Sequence, residues 1–529
     1  MAPLPRVLVA FIVGILLACC YPRFFGQQYA LIVSCAVLAL SYLPLPVLMR
    51  RKRSVTSFGV CTMLFALVLG FVRAGFSHQT MCRPIGESNH TVTATVLDYA
   101  VEKKKSYATT IDCGKSGGRQ MVYLWSSSGR PMKLEPGDRI QFVPRYRRSV
   151  ISEIEKLESK GEEERQLLGY QRHLYYSHIS ATQYARRWWT TKNNAHERFN
   201  WGKLRKRVAE QYASLQLPSE EEAILTAMTL GDRRAMREKG MNISKRYSRA
   251  GVSHVLALSG FHLTIIYALL DIFFLSSFFR RKHKWLPHLL VIISLWAYTL
   301  LAGTPPSLVR AAAMCTIICV AKTLYGGKQS GFDALTLSAF IMLLFDPFYI
   351  MNISFQLSYA SMLGITIASP ALSGLQAIIN KSAMLSIAKK LTSYFVGIIL
   401  ISVIATLSTA GIVAYHFASI SLVGIATNIC VSVLASVLMM VAVVWWILRL
   451  VWAIGSIGQT AFAASIDSWL AGIIHGLLKG MNQSVDFFSS FSHATLQWSP
   501  TLFEVILYYG LLCVVVWLLM RRHILKLRK

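Results

Sequence analysis

At 529 residues, with 54% apolar side chains, only 15% charged ones and a mean hydropathy of +0.45, the chain is too apolar for a string of soluble domains or a disordered polymer. A net charge of +30, from 55 Lys and Arg against 25 Asp and Glu, excludes an acidic scaffold and favours anionic partners such as a bilayer surface or a nucleic acid. Ten cysteines, most of them in apolar runs, are too few and too scattered for a disulfide framework.

Apolar runs close to the thickness of a hydrocarbon core predict spans at 4–20, 29–49 and 57–71. Helices are the expected spanning form, because unpaired backbone groups in lipid are costly. Arg50, Arg51, Lys52 and Arg53 separate the second and third runs, which places that loop and the N-terminus in the cytoplasm. Arg6 followed by Leu16-Leu17-Ala18-Cys19 also resembles the leader of a lipidated protein, but losing that span would give the remaining charge pattern the wrong parity.

Residues 76–253 are then expected outside the membrane. The segments TVTATVLDY, SYATTIDCG, RQMVYLWSS and DRIQFVP, separated by polar or glycine-rich turns, predict a small antiparallel β unit. About five strands in so short a stretch fit an OB-like closed barrel, and a split sandwich fits nearly as well. Cys82 and Cys113 are the two cysteines of this region, and an oxidising compartment would favour a disulfide between them over two free thiols.

From 153 the pattern turns helical, and LLGYQRHLYYSHISATQYARRWW and LRKRVAEQYASL continue it as a partly amphipathic layer. Basic residues outnumber acidic ones here, which a preference for cytoplasmic cations cannot explain and attraction of a polyanion can. Aromatics interleave with them at Arg145, Tyr146, Arg147 and Arg148, around Arg172, and at Arg186, Arg187 and Trp188. Bases stack on such rings while guanidinium groups hold phosphates, making these candidate contacts for a single strand. Tyr, Trp and Arg also gather beside lipid headgroups, so that alternative stays open.

Further apolar runs predict spans at 255–279, 286–303, 308–325, 334–345, 350–367, 396–415, 419–448 and 503–520. Arg280, Arg281, Lys282 and Lys284 follow one of them, and Arg521, Arg522, Lys526, Arg528 and Lys529 follow the last, so both termini are expected in the cytoplasm. That requires an even total, about ten to twelve spans. The segment 462–488, with Asp467, His475 and Lys479 at helical spacing, is expected to lie along the interface. The expected fold class is therefore a polytopic α-helical membrane protein carrying an extracytoplasmic α+β domain. Its divisions are three spans in 1–75, an OB-like β domain with helical extension in 76–203, an amphipathic connector in 204–253 and a membrane core in 254–529.

Polar groups inside apolar runs mark the candidate site, because they are costly there unless they face a partner or a wet cavity. After Leu230-Gly231-Asp232-Arg233 comes HVLALSGFH, with His254, Ser259 and His262. Next comes GTPPSLVRA, with Ser307 and Arg310, then SFQLSYASMLGI, with Gln356, Ser358 and Tyr359. Asn428 closes a weaker element, SLVGIATN. Singly, each has a structural explanation: small residues pack helices closely, amides bond across them, and a lone arginine snorkels.

In order and wording these elements resemble the ComEC family of competence proteins, whose corresponding segments read like HLLAISGLH, G-x-x-P-S-x-x-R-A and SFQLSFAAVLGI. The resemblance covers nearly the whole chain. It implies a channel passing single-stranded DNA across the cytoplasmic (inner) membrane during natural transformation, with the nine polar residues named above lining its path. Many family members continue into a metallo-β-lactamase-like domain with a His-x-His-x-Asp-His run. No such run occurs here, so a nuclease is expected to be a separate partner. The Asn-Pro-Gly stretch common in the family is replaced by Gly161-Glu162-Glu163-Glu164.

No G-x-x-x-x-G-K-[ST] loop is present, so an ATP-driven motor is expected to be separate as well, as is a DNA receptor. A homo-oligomer is a further expectation. His254, His262, His416 and His475 lack metal-ligand spacing, and neither a cofactor nor an enzymatic activity is expected. The rival readings are a small-solute transporter or assembly factor on the same scaffold, and an intramembrane hydrolase using Ser259 and His262 as nucleophile and base.

Overall fold

The computed structural model describes residues 3–20, 55–81, 91–102, 106–114, 118–125, 134–158, 165–191, 201–233, 236, 243–275, 285–325, 331–381, 386–455, 461–491 and 494–527. The expected span at 29–49, the basic loops at 50–53 and 280–284, Cys82 and the segment 161–164 lie outside these residues.

In chain order the elements begin with helices α1 (Pro3–Cys20) and α2 (Val55–Met81). Strands β1 (Val92–Val96), β2 (Val101–Glu102), β3 (Ser106–Asp112), β4 (Arg119–Trp125) and β5 (Arg139–Ser149) follow. Then come α3 (Val150–Glu158), α4 (Arg165–Tyr176), β6 (Ala181–Thr191), α5 (Trp201–Gln211), α6 (Ser219–Leu230) and α7 (Ile243–Arg249). The remaining helices are α8 (Gly260–Leu275), α9 (Leu286–Leu301), α10 (Pro306–Tyr325), α11 (Gly331–Phe345), α12 (Ile353–Lys381) and α13 (Ser386–Phe417), followed by strand β7 (Ser419–Ser421). Helices α14 (Gly424–Gly455) and α15 (Ala461–Ser489), strand β8 (Thr495–Gln497) and helix α16 (Leu502–Leu527) complete the chain. Two compact units result, Met1–Leu204 with Thr336–Ile353, and Arg205–Leu335 with Ser354–Lys529.

In the first unit α1 and α2 pack at glycine contacts. A methyl group on Gly14 would fall 1.9 Å from the Leu67 carbonyl oxygen, and one on Gly70 would fall 2.2 Å from that of Phe11. Missing side chains thus set how closely the two backbones approach. The end of α11 joins this unit: Phe340 lies 4.9 Å from Phe11 between ring centroids, and Arg73 Nε donates to the Leu344 carbonyl at 2.7 Å. Phe348 is fully buried among His78, Tyr175, Tyr176 and His178. His178 pairs with Asp346 at 3.0 Å.

The alternating segments form the expected small barrel. Strand β1 pairs antiparallel with β3 and β5, β3 with β4, and β5 with β6, while β4 and β6 run parallel and close the ring. Period-two alternation turns Val96, Ile111, Val122, Leu124, Ile140 and Phe142 inward. Cys113 is buried in the same core.

One segment corrects the expectation: residues 181–191, expected to be helical, form β6. Its hydrogen bonds come from β4 and β5, which are distant in sequence, and a register irregularity between Val143 and Tyr146 interrupts the alternation that would have announced a strand.

The second unit is helical, with β7 and β8 pairing as a short two-stranded sheet. Residues 419–448 belong to one long helix, α14, only from Gly424 onward. The expected span from 255 begins in turns, and its helix α8 starts only at Gly260. The apolar stripe of helix α15, Leu470, Ile474, Leu478, Met481 and Val485, packs on Val431, Ala435, Leu438, Ala442 and Trp445 of α14 and on α6 and α7.

Among the described residues four helical stretches are long and apolar enough to cross a membrane: Gly59–Gln79, Pro306–Leu324, Thr392–Phe417 and Gly424–Trp452. Shorter apolar helices occupy Leu4–Cys20, Gly260–Phe274, Leu286–Leu301, Gly331–Phe345 and Leu502–Val516.

Candidate functional site

The motifs that were far apart in sequence converge in the second unit. Gly231 ends α6 with φ +71°, and a methyl group there would lie 2.7 Å from Leu258 Cδ1 and 3.2 Å from the Ala302 carbonyl. Tyr298 donates to the Thr229 carbonyl at 2.8 Å, and Ser307 Oγ donates to the Leu258 carbonyl at 2.7 Å. The Ser307 bond ties the start of α10 beside the start of α8. Between α9 and α10 the chain reverses through Gly303 and Thr304, both with positive φ, and Arg205 donates to the Ala302 carbonyl at 3.3 Å.

Arg310, one turn into α10, is 4% exposed. Its guanidinium lies against the first residue of α8, where a methyl group on Gly260 would meet Nη2 at 2.7 Å. The carbon of the guanidinium sits 5.6 Å from the Tyr359 ring centroid, Nη1 reaches Met314 Sδ at 3.5 Å, and Nε has no hydrogen-bond partner among the described residues. No carboxylate among those residues pairs with it. A ring and a sulfur return about 1 to 2 kcal/mol, whereas an uncompensated buried charge costs several kcal/mol.

Ser259 and His262 form a helix cap. With Gly260 as the first helical residue, the His262 side chain reaches back three positions, and its Nδ1 faces both the Ser259 N–H and the Ser259 hydroxyl at 3.1 Å. This is one half of a capping box, the third helical residue reaching back to the N–H of the residue before the helix, with histidine where Glu or Gln usually stands. Since Nδ1 accepts from the backbone, the proton of the neutral ring belongs on Nε2, which is buried and has no partner among the described residues.

Asn428 is a hub: Nδ2 donates to Ser402 Oγ at 2.7 Å, Oδ1 accepts from Ser432 Oγ at 2.7 Å, and His254 bonds to the same side chain. Ser402 and Ser432 lie in long apolar runs and carry no motif signal, so sequence reasoning missed them. Gln356 and His416 approach at 3.4 Å on α12 and α13. Ser358, half-buried on α12, accepts through its carbonyl from Ser361 Oγ at 3.0 Å.

The barrel, described by itself, presents aromatics and arginines on its outer face. Tyr123 and Tyr184 stack with centroids 4.8 Å apart, the Tyr170 hydroxyl lies 3.4 Å from that of Tyr123, and Trp125 and Trp189 are exposed beside Arg186 and Arg187. Trp188 instead turns toward the barrel core, its Nε1 donating to the Trp125 carbonyl at 3.2 Å. Arg148 faces Glu153 at 3.7 Å, and Arg172 is exposed on α4. The side chains of Arg145, Tyr146 and Arg147 lie outside the described residues. Burial and the neighbouring phenols push the Tyr123 hydroxyl above its ordinary pKa, so it stays a neutral donor. Tyr123 and Trp125 were missed because single aromatics in a strand look like core residues, and Tyr184 because its segment was expected to be helical.

Among the described residues no group of three or more His, Cys, Asp or Glu could hold a metal ion. No solved structure matches the chain. ComE operon protein 3 of Bacillus subtilis (strain 168) is 29% identical over 226 residues, which cover 42% of this chain and 26% of that protein. The aligned part is thus about a quarter of the relative's length. The Competence protein family model matches residues 228–522, a stretch holding the convergent motifs, Arg310 and the Asn428 hub. Matched over more than half its length, the chain belongs to the Competence protein family.

Proposed function

We propose that this protein is a channel that passes single-stranded DNA through the cytoplasmic membrane during natural transformation. Its membership of the competence family supports a part in DNA uptake, and the buried, uncompensated Arg310 carries the step from uptake to phosphate contact. A guanidinium takes phosphate oxygens two at a time, which suits a chain of repeating phosphodiesters. The OB-like barrel would gather the strand, its tyrosines and tryptophans stacking bases and Arg186 and Arg187 holding the backbone. His254, Gln356, Ser358 and Asn428 would line the wet path beyond it. In this reading 76–253 faces outward and both termini face the cytoplasm. A receptor, a nuclease and an ATP-driven motor act as separate partners. The Ser259–His262 geometry argues against a hydrolase, because the imidazole nitrogen a nucleophile would need is occupied in capping the helix.

The test is reconstitution of the purified chain into liposomes, with labelled oligonucleotide outside and nuclease added afterwards. A strand protected inside wild-type liposomes, while a small dye stays out, supports the channel. Dye that crosses where the strand does not would favour a solute transporter.

A further inference from the structure

We propose that the junction of α8 and α10 is a binding site for a tetrahedral oxyanion, filled by inorganic phosphate or sulfate when no strand is present. Two helix starts and one buried guanidinium meet there. The Ser307–Leu258 bond holds two helix starts side by side, so the positive ends of both helix dipoles lie there, although at α10 Pro305 and Pro306 carry no N–H and the Leu308 and Val309 N–H groups bond to the Pro305 carbonyl. Arg310 adds a full charge, 4% exposed and pressed against the first turn of α8. His262, 1% exposed in that same turn, adds an Nε2 proton donor with no partner among the described residues.

The helix starts and Arg310 share one sign, and no carboxylate among the described residues pairs with Arg310. Left empty, the junction would carry repulsion in a low-dielectric interior. Gly260 is part of the device: any side chain there would strike Nη2 at 2.7 Å, so glycine leaves backbone and guanidinium adjacent, as anion cradles at helix starts require. The planar fork selects a tetrahedral oxyanion over a halide, since two parallel donors match two oxygens. The site stands on this geometry alone. Its role rests on the channel reading: each phosphodiester of an entering strand would displace the resident ion, so charge is never left bare between translocation steps.

Calorimetric titration of the full-length chain in nanodiscs, with inorganic phosphate in chloride buffer, tests the site. Wild type should bind phosphate saturably, and Arg310→Met should weaken binding by about tenfold or more. Phosphate should also raise the thermal midpoint of wild type but not of Arg310→Met, whereas sodium chloride at equal ionic strength raises neither. No saturable phosphate binding by wild type, or undiminished binding by a folded Arg310→Met, overturns the proposal. Competition with oligo-dT separates the two ideas. Phosphate held through Arg310 but not displaced by the strand leaves the site standing and the channel reading without its contact. A strand that binds through Arg310 where phosphate does not leaves that reading standing and removes the resident ion.

Discussion

The helical unit holds two sets of buried polar side chains that differ in how they are compensated. Where α6, α7, α14 and α15 pack, several charges are paired: Glu221 meets His475 at 2.7 Å, Trp445 donates to Asp467 at 2.9 Å, Tyr247 donates to Asn482 at 2.8 Å, and Arg246 bridges Glu220 and Asp486. Where α8 and α10 begin, Arg310 and His262 are more deeply buried than most of these and keep nitrogen atoms without a partner among the described residues. Paired polar groups hold helices together, while unpaired ones in the interior destabilise the fold.

That contrast predicts opposite responses to substitution. The largest effect is expected on the paired side. Trp445 is fully buried, stacks 5.3 Å from Tyr212 and lies under Arg449, so Trp445→Ala should lower stability in denaturant unfolding by about 3 to 5 kcal/mol. Arg310→Met should do the reverse, raising stability by about 1 to 3 kcal/mol, because it removes an uncompensated charge and keeps the apolar stem. A strong loss of stability would mean that the guanidinium is structurally compensated after all. Ser259→Ala should cost about 1 kcal/mol through the helix cap, with uptake per folded molecule unchanged; abolished uptake at normal stability would revive a nucleophile. The smallest effect belongs to the exposed arginines of the barrel. Arg186→Gln and Arg187→Gln should each reduce the salt dependence of strand binding by about one phosphate contact, leaving the folded protein as stable as before.

Much of the barrel was legible because half-buried strands alternate, as Val122, Tyr123 and Leu124 do on β4. Strand β6 was not, since ATQYARRWWTT owes its conformation to partners on β4 and β5 and passes a register irregularity. The turns before Gly260 were hidden by their apolarity: VLAL looks like a span, yet the His262 side chain takes the Ser259 N–H at the start of the helix behind it and Gly251, at φ +78°, bends the chain ahead. Motif residues could be named from sequence, but their relations could not. Glu221 and His475 are 254 positions apart, and Ser402 acquires its role only by touching Asn428. Above all, that Arg310 has no counter-ion among the described residues is a property of its surroundings, which no spacing encodes.

The most direct test is import of labelled single strands into transformable cells whose only copy of the gene carries Arg310→Met, normalised to folded protein in the membrane. Import reduced by about tenfold to a hundredfold, the loss of one charge-assisted phosphate contact, is the predicted result. Import at the wild-type rate would contradict the assignment of Arg310 to the path.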